Sequence, residues 1–128
     1  MQHAVGQVST GILYLDDEEP LVFLVTRLLE RLGYAPAGFT DAGAALAAFR
    51  SDPARFALVL SDLSMPGGSG IDFARQILEI APAARVAIVT GNVNPADVTR
   101  ATALGIRAVV RKPLKVDELG PVVRQLLM

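Results

Sequence analysis

The stretch Phe56-Ala57-Leu58-Val59-Leu60-Ser61-Asp62 runs straight into Leu63-Ser64-Met65-Pro66-Gly67-Gly68-Ser69-Gly70. Five consecutive apolar residues without alternation describe a strand buried on both faces, and such strands belong to parallel sheets covered by helices. The apolar run ends in an acid, and the segment after it is rich in turn residues. Other short apolar runs lie on either side. Ile12–Leu15 and Val86–Val89 are of the same kind, Arg107–Val110 is a fifth strand, and Tyr34–Phe39 is weaker. Pro36 lies within this last run, and a proline lacks the N–H for a ladder, so the run belongs at a sheet edge.

Helical spacing fills the intervals. Pro20 suits the first turn of a helix over Leu21–Leu32, with Gly33 as its stop. Thr40 or Asp41 can cap Ala42–Arg50, Ile71–Ile80 follows the Gly-rich loop, and Asn94-Pro95 opens a helix that stops near Gly105. A final helix is expected between Val116 and Leu127. Its Gly120-Pro121 pair predicts a late start or a bend, because an interior proline costs about 3 kcal/mol. The sum is one doubly wound α/β domain: a five-stranded parallel sheet with helices on both faces. Met1–Thr10 has no periodicity and reads as a leader or linker ahead of a domain over residues 11–128. It lacks a signal peptide's apolar core, so a cytoplasmic location is expected.

Composition removes most chemistries. The 128 residues include no cysteine and one histidine, His3, which excludes disulfides, thiolate metal sites, imidazole zinc sites and Ser-His-Asp catalysis. Twelve basic side chains against thirteen acidic ones, without a basic cluster, argue against direct nucleic-acid binding. No apolar stretch is long enough to cross a membrane, so neither a membrane nor a nucleic acid is expected as a direct partner.

In open parallel sheets, ligands bind outside the carboxyl ends of the strands. Asp16 and Asp17 follow the first strand, Asp62 ends the third, Thr90 the fourth, and Lys112, one of two lysines, follows the fifth. Singly, each has a plain structural role: acids at a helix N-terminus, a turn aspartate, a strand-end hydroxyl, a solvated loop lysine. Together they would crowd three carboxylates, and crowded carboxylates call for a cation among them. With only oxygen donors available that cation is hard, and Mg²⁺ fits best. A carboxylate beside Mg²⁺ and an ammonium is placed to attack phosphorus and form an aspartyl phosphate.

These pieces resemble the receiver domain of two-component response regulators. The resemblance rests on Asp16-Asp17, Asp62 with the loop through Gly70, Thr90-Gly91 and Lys112-Pro113, in order from Ile12 to Leu127. It implies a flavodoxin-like strand order 2-1-3-4-5 and Asp62 as phosphoacceptor from a histidine kinase or histidine phosphotransfer protein. It implies Mg²⁺ held by Asp17, Asp62 and the backbone carbonyl of Ser64, with Asp16 acting partly through water. Lys112 would pair with the phosphoryl group and Thr90 would switch towards it. The chain would then be no conventional enzyme, catalysing only its own phosphorylation and dephosphorylation. It would be a single-domain regulator or a receiver excised from a larger protein, and its loop motifs are similar to receivers of hybrid histidine kinases.

Three departures stand out: Gly68 replaces a frequent methionine, Val109 stands where many receivers carry Tyr or Phe, and Gly120-Pro121 interrupts the last helix. Without a ring at Val109, the face formed by the fourth helix, fifth strand and fifth helix is expected to change only modestly on activation. On the first helix, Leu21, Leu24, Val25, Leu28 and Leu32 form the stripe expected to face the sheet. That leaves Val22, Phe23 and Thr26 near the rim as a partner surface, edged by Pro113-Leu114. A haloacid-dehalogenase-type enzyme would want a second acid two residues after the nucleophile, where Ser64 stands. The loop Gly67–Gly70 is no nucleotide fingerprint. The remaining alternative is a non-phosphorylated receiver-like interaction module.

Overall fold

The computed structural model describes residues 10–65 and 68–128. The expected leader therefore lies, apart from Thr10, outside the described residues. In chain order the elements are β1 (Gly11–Leu15), α1 (Glu19–Arg31), β2 (Ala35–Phe39), α2 (Ala42–Ser51), a 3-10 turn (Pro53–Arg55) and β3 (Phe56–Asp62). Then come a two-residue strand pair, β4 (Ser64–Met65) and β5 (Gly68–Ser69), followed by α3 (Gly70–Ile80), β6 (Val86–Thr90), α4 (Pro95–Leu104), β7 (Ala108–Arg111) and α5 (Val116–Leu127).

The main sheet is parallel throughout, in the order β2-β1-β3-β6-β7. Counting its five strands alone, this is the expected flavodoxin-like 2-1-3-4-5. Side chains alternate across it, so each strand feeds two cores. Ile12, Tyr14, Leu58, Leu60, Ala87 and Val89 pack towards α1 and α5. Leu13, Leu15, Val59, Val86 and Ile88 pack towards α2, α3 and α4. β2 does lie at an edge. Ala35 donates to the Thr10 carbonyl and Phe39 accepts from Asp16 N–H, so the peptide groups of Pro36 and Gly38 point away from β1.

The caps follow the sequence. Asp41, Ser69 and Asn94 accept hydrogen bonds from Ala44, Ile71 and Asp97 N–H at the starts of α2, α3 and α4. Gly105 ends α4 in the left-handed region, with φ 89°.

Three expectations need correction. The segment after Asp62 is not all loop, because Ser64 and Met65 pair with Ser69 and Gly68 as a small antiparallel ribbon. Of the two outcomes expected for α5, the late start does not occur: the helix starts at Val116 and carries Pro121 inside. The proline's missing donor and its ring both fall on the carbonyl of Asp117, in the exposed first turn, where water can serve that oxygen. On α1 the buried residues are Val25 and Leu29, with Val22 and Leu28 half-buried, whereas Leu24 and Leu32 are exposed. The helix is turned by less than one residue's arc from the expected stripe. Its apolar residues cover more than half of its circumference, so their spacing leaves the buried centre open.

Candidate functional site

The site is built at the carboxyl ends of β1, β3, β6 and β7, where the strand order reverses between β1 and β3. Backbone bonds carry the sheet one residue past its strands. Asp16 N–H donates to the Phe39 carbonyl, Leu63 N–H to Val89, and Lys112 N–H to Thr90. The residues that begin the loops are thus held by the ladder itself. Gly70 donates to the Leu63 carbonyl at 2.7 Å. A Cβ at Gly70 would overlap the carbonyl oxygen of Asp62, so only glycine lets α3 start this close to β3.

Period-two alternation decides which side chains meet. Asp16 follows Ile12 and Tyr14, Asp62 follows Leu58 and Leu60, and Lys112 follows Ala108 and Val110, all on the α1–α5 side of the sheet. They converge. Lys112 Nζ lies 2.8 Å from Asp16 Oδ2 and 3.2 Å from Asp62 Oδ1, with Glu18 Oε2 at 3.9 Å. Asp16, Asp17 and Asp62 each bring a carboxylate oxygen within 4.8 Å of the others. Asp16 and Asp62 are buried, while Asp17 is exposed and opens onto a depression lined by Thr40, Asp41, Met65 and Ser69.

Thr90 shares its parity with Val86 and Ile88, on the other side. Its hydroxyl donates to the Asn92 carbonyl at 3.3 Å and accepts from Asn92 N–H at 3.2 Å, a local turn rather than a contact with Asp62. Ser64 is exposed and opens the β4–β5 ribbon. Of the residues expected at the site, the structure brings Asp16, Asp17, Asp62 and Lys112 together and leaves Thr90 turned to its own loop.

Sequence reading missed Tyr14. Its buried hydroxyl donates to Asp16 Oδ2 at 2.9 Å, and Glu18 N–H donates to Asp16 Oδ1 at 3.0 Å. The available signal was spacing: residues two apart on a strand share a face, so a tyrosine two before an aspartate can reach it.

The electrostatics follow from this crowding. Burial, then the charge of Asp16, pushes the Asp62 carboxyl above its ordinary value, and contact with Lys112 only partly opposes this. For Lys112, burial works against the charge, but Asp16 and Asp62 outweigh it and the ammonium is held above its ordinary value. Burial and then Asp16 push the Tyr14 phenol far upward, so it remains a neutral donor. The donor set is all hard oxygen, with a partly buried excess of negative charge, which fits a small divalent cation such as Mg²⁺.

Comparison with known proteins bears on the family and the fold. The family model described as the response regulator receiver domain matches residues 12–124. The sensory transduction protein RegX3 of Mycobacterium tuberculosis is 36% identical over 118 residues, covering 92% of this chain and 51% of RegX3. This chain thus spans about half the length of that relative. A region of the sensor histidine kinase AruS of Pseudomonas aeruginosa is 38% identical over 96 residues, 72% of this chain and 9% of the kinase. Among solved structures, a response regulator receiver domain protein from Clostridium thermocellum superposes with a TM-score of 0.85 at 27% identity, covering 92% of this chain and 94% of that one. Among the described residues no helix is long and apolar enough to cross a membrane.

Proposed function

We propose that this chain, which belongs to the response regulator receiver domain family, takes a phosphoryl group from a histidine kinase or histidine phosphotransfer protein onto Asp62 and uses it to switch a partner interaction. The supporting observation is the Lys112 ammonium bridging Asp16 at 2.8 Å and Asp62 at 3.2 Å, beside the exposed carboxylate of Asp17. The receiver occupies residues 11–128, and its proposed place of action is the cytoplasm.

A carboxylate oxygen of Asp62 attacks phosphorus, the bond from phosphorus to the donor's imidazole nitrogen breaks, and the neutral imidazole leaves. Such transfer depends mainly on positioning and on neutralising the equatorial oxygens. Lys112 pairs with one of them. Thr90, buried at the end of β6 and bonded to Asn92, would leave that turn to offer its hydroxyl to another. Mg²⁺ at Asp17, Asp62 and the Ser64 carbonyl, with Asp16 partly through water, would supply the remaining neutralisation of phosphoryl charge. The depression beside Asp17 leaves the donor an open approach.

The partner is proposed to dock on α1 beside the rim. Phe23 is 60% exposed there, with the Arg27 guanidinium 4.6 Å over its ring, and it lines a shallow groove with Val22, Thr26 and Gly38. Phe23→Glu is expected to slow transfer from the cognate kinase about tenfold or more, while the rate from acetyl phosphate stays unchanged; equal slowing from both donors removes α1 from the docking surface.

The reaction itself is tested by intact mass after incubation with acetyl phosphate and Mg²⁺. A single phosphoryl adduct on the wild type, lost in Asp62→Ala, is the expected result. No adduct on either protein favours a non-phosphorylated interaction module.

A further inference from the structure

Tyr14 is a buried titratable side chain that the chemistry above leaves unused. Its ring belongs to the core between the sheet and α1–α5, and its hydroxyl reaches up to the rim. Asp16 Oδ2 accepts from that hydroxyl at 2.9 Å and from Lys112 Nζ at 2.8 Å. A carboxylate oxygen has two lone-pair sites, so both on Oδ2 are filled. Oδ1 already accepts from Glu18 N–H at 3.0 Å. Asp16, fully buried, therefore has one lone pair left for anything else. Asp17, by contrast, is exposed and brings its carboxylate into the same cluster.

We propose that Tyr14 is a positioning residue that fixes Asp16 towards Lys112 and lowers the affinity of the Asp16–Asp17–Asp62 cluster for a divalent cation. The inference rests on the reading of that cluster as a Mg²⁺ site. A donor bound to a carboxylate withdraws charge that a cation would otherwise use, so the phenol competes with the metal for Asp16. It also keeps Asp16 solvated by the protein when Lys112 turns to a phosphoryl group, which would otherwise leave a buried carboxylate short of donors. The cation is then bound chiefly by Asp17 and Asp62, and loosely.

The sign of the effect separates this role from a merely structural one. Loss of a structural hydroxyl would loosen the site and weaken metal binding, whereas loss of a competitor tightens it. Mg²⁺ is titrated into the wild type and Tyr14→Phe at constant ionic strength, following the backbone amide signals of Asp17 and Asp62. Tyr14→Phe is expected to bind Mg²⁺ about tenfold more tightly, the order of one hydrogen bond to a charged group. Equal or weaker binding by Tyr14→Phe overturns the inference alone. Absence of binding to the wild type overturns the magnesium reading and this inference with it.

A second measurement holds even if Tyr14→Phe does not fold. The chain has two tyrosines and no tryptophan, so Tyr34→Phe leaves Tyr14 as the sole source of the tyrosine absorption band, which lies above that of phenylalanine. Saturating Mg²⁺ is expected to move its absorption to shorter wavelength, as the cation draws charge from the phenol's acceptor. An unchanged spectrum at saturation overturns the proposal.

Discussion

β3 and β7 each deliver one residue to the same contact, Asp62 and Lys112, but they are held differently. β3 lies between β1 and β6 and is buried at every position except Ala57. β7 lies at the sheet edge, is half-buried at Ala108, Val109 and Val110, and is exposed at Arg111. The helix beside it, α4, buries only Ala101. Segments with few buried apolar contacts open more readily than the core they rest on. Asp62, the proposed phosphoacceptor, therefore ends a strand buried in the middle of the sheet, whereas Lys112 follows the less buried edge strand.

The largest effect expected from this contrast is at Gly70. A Cβ there meets the Asp62 backbone, so Gly70→Ala forces β3 and α3 apart, costing about 3 kcal/mol or more. The resulting shift of Asp62, the proposed nucleophile, is expected to slow adduct formation about a hundredfold. At the end of β6, by contrast, a Cβ at Gly91 meets nothing within 4 Å, and Gly91→Ala is expected to change stability by no more than about 0.5 kcal/mol. Urea unfolding with intact mass reads both variants.

Core truncations sharpen the comparison. Leu60→Ala, in β3 and essentially inaccessible, is expected to cost about 2–5 kcal/mol. Val110→Ala, in half-buried β7, is expected to cost about 1 kcal/mol. Equal losses in denaturant unfolding would mean that the two strands contribute equally to the packed core.

Asp62 carries a pH signature. Its folded-state carboxyl is raised above the usual 3.8, first by burial and then by Asp16. A carboxyl raised in the folded state favours the fold while protonated, and that contribution is lost as pH rises through the folded value. At neutral pH the charge thus opposes folding, and Asp62→Asn is expected to be more stable than the wild type. The advantage should shrink as the pH falls towards 4, which unfolding curves over pH 4 to 7 would follow.

The smallest expected effect is on the outer face. Val109 is half-buried against the core below α4, and a short, stiff side chain packs alike in either state. Backbone amide shifts on adding beryllofluoride with Mg²⁺ are expected to be large after Asp62 and Thr90 and small along α4. Shifts of equal size along α4 would show that coupling across β7 needs no ring.

The sheet and its polar rim were legible because buried parallel strands leave apolar runs that stop where the chemistry begins. Asp16, Asp17, Asp62 and Lys112 could be paired from that fact alone. What stayed hidden had no periodic signature. Tyr14 sits inside an apolar run, where it passes for one more core aromatic, and only its hydroxyl's reach to Asp16 sets it apart. The buried face of α1 was ambiguous because leucine and valine wrap most of the helix. The β4–β5 ribbon is two residues deep, too short for any pattern. At Pro121 sequence shows the missing N–H, which suggests a late start or a bend, but not that Asp117, whose carbonyl is affected, is exposed.

The outward turn of Pro36 and Gly38 on β2 has a consequence for crowded solutions. Along that free border the sheet shows two carbonyl oxygens and a single N–H, that of Gly38. A strand approaching that border finds one N–H to bond where an unbroken edge of the same length would offer two, so this side of the sheet is a poor template for strand addition.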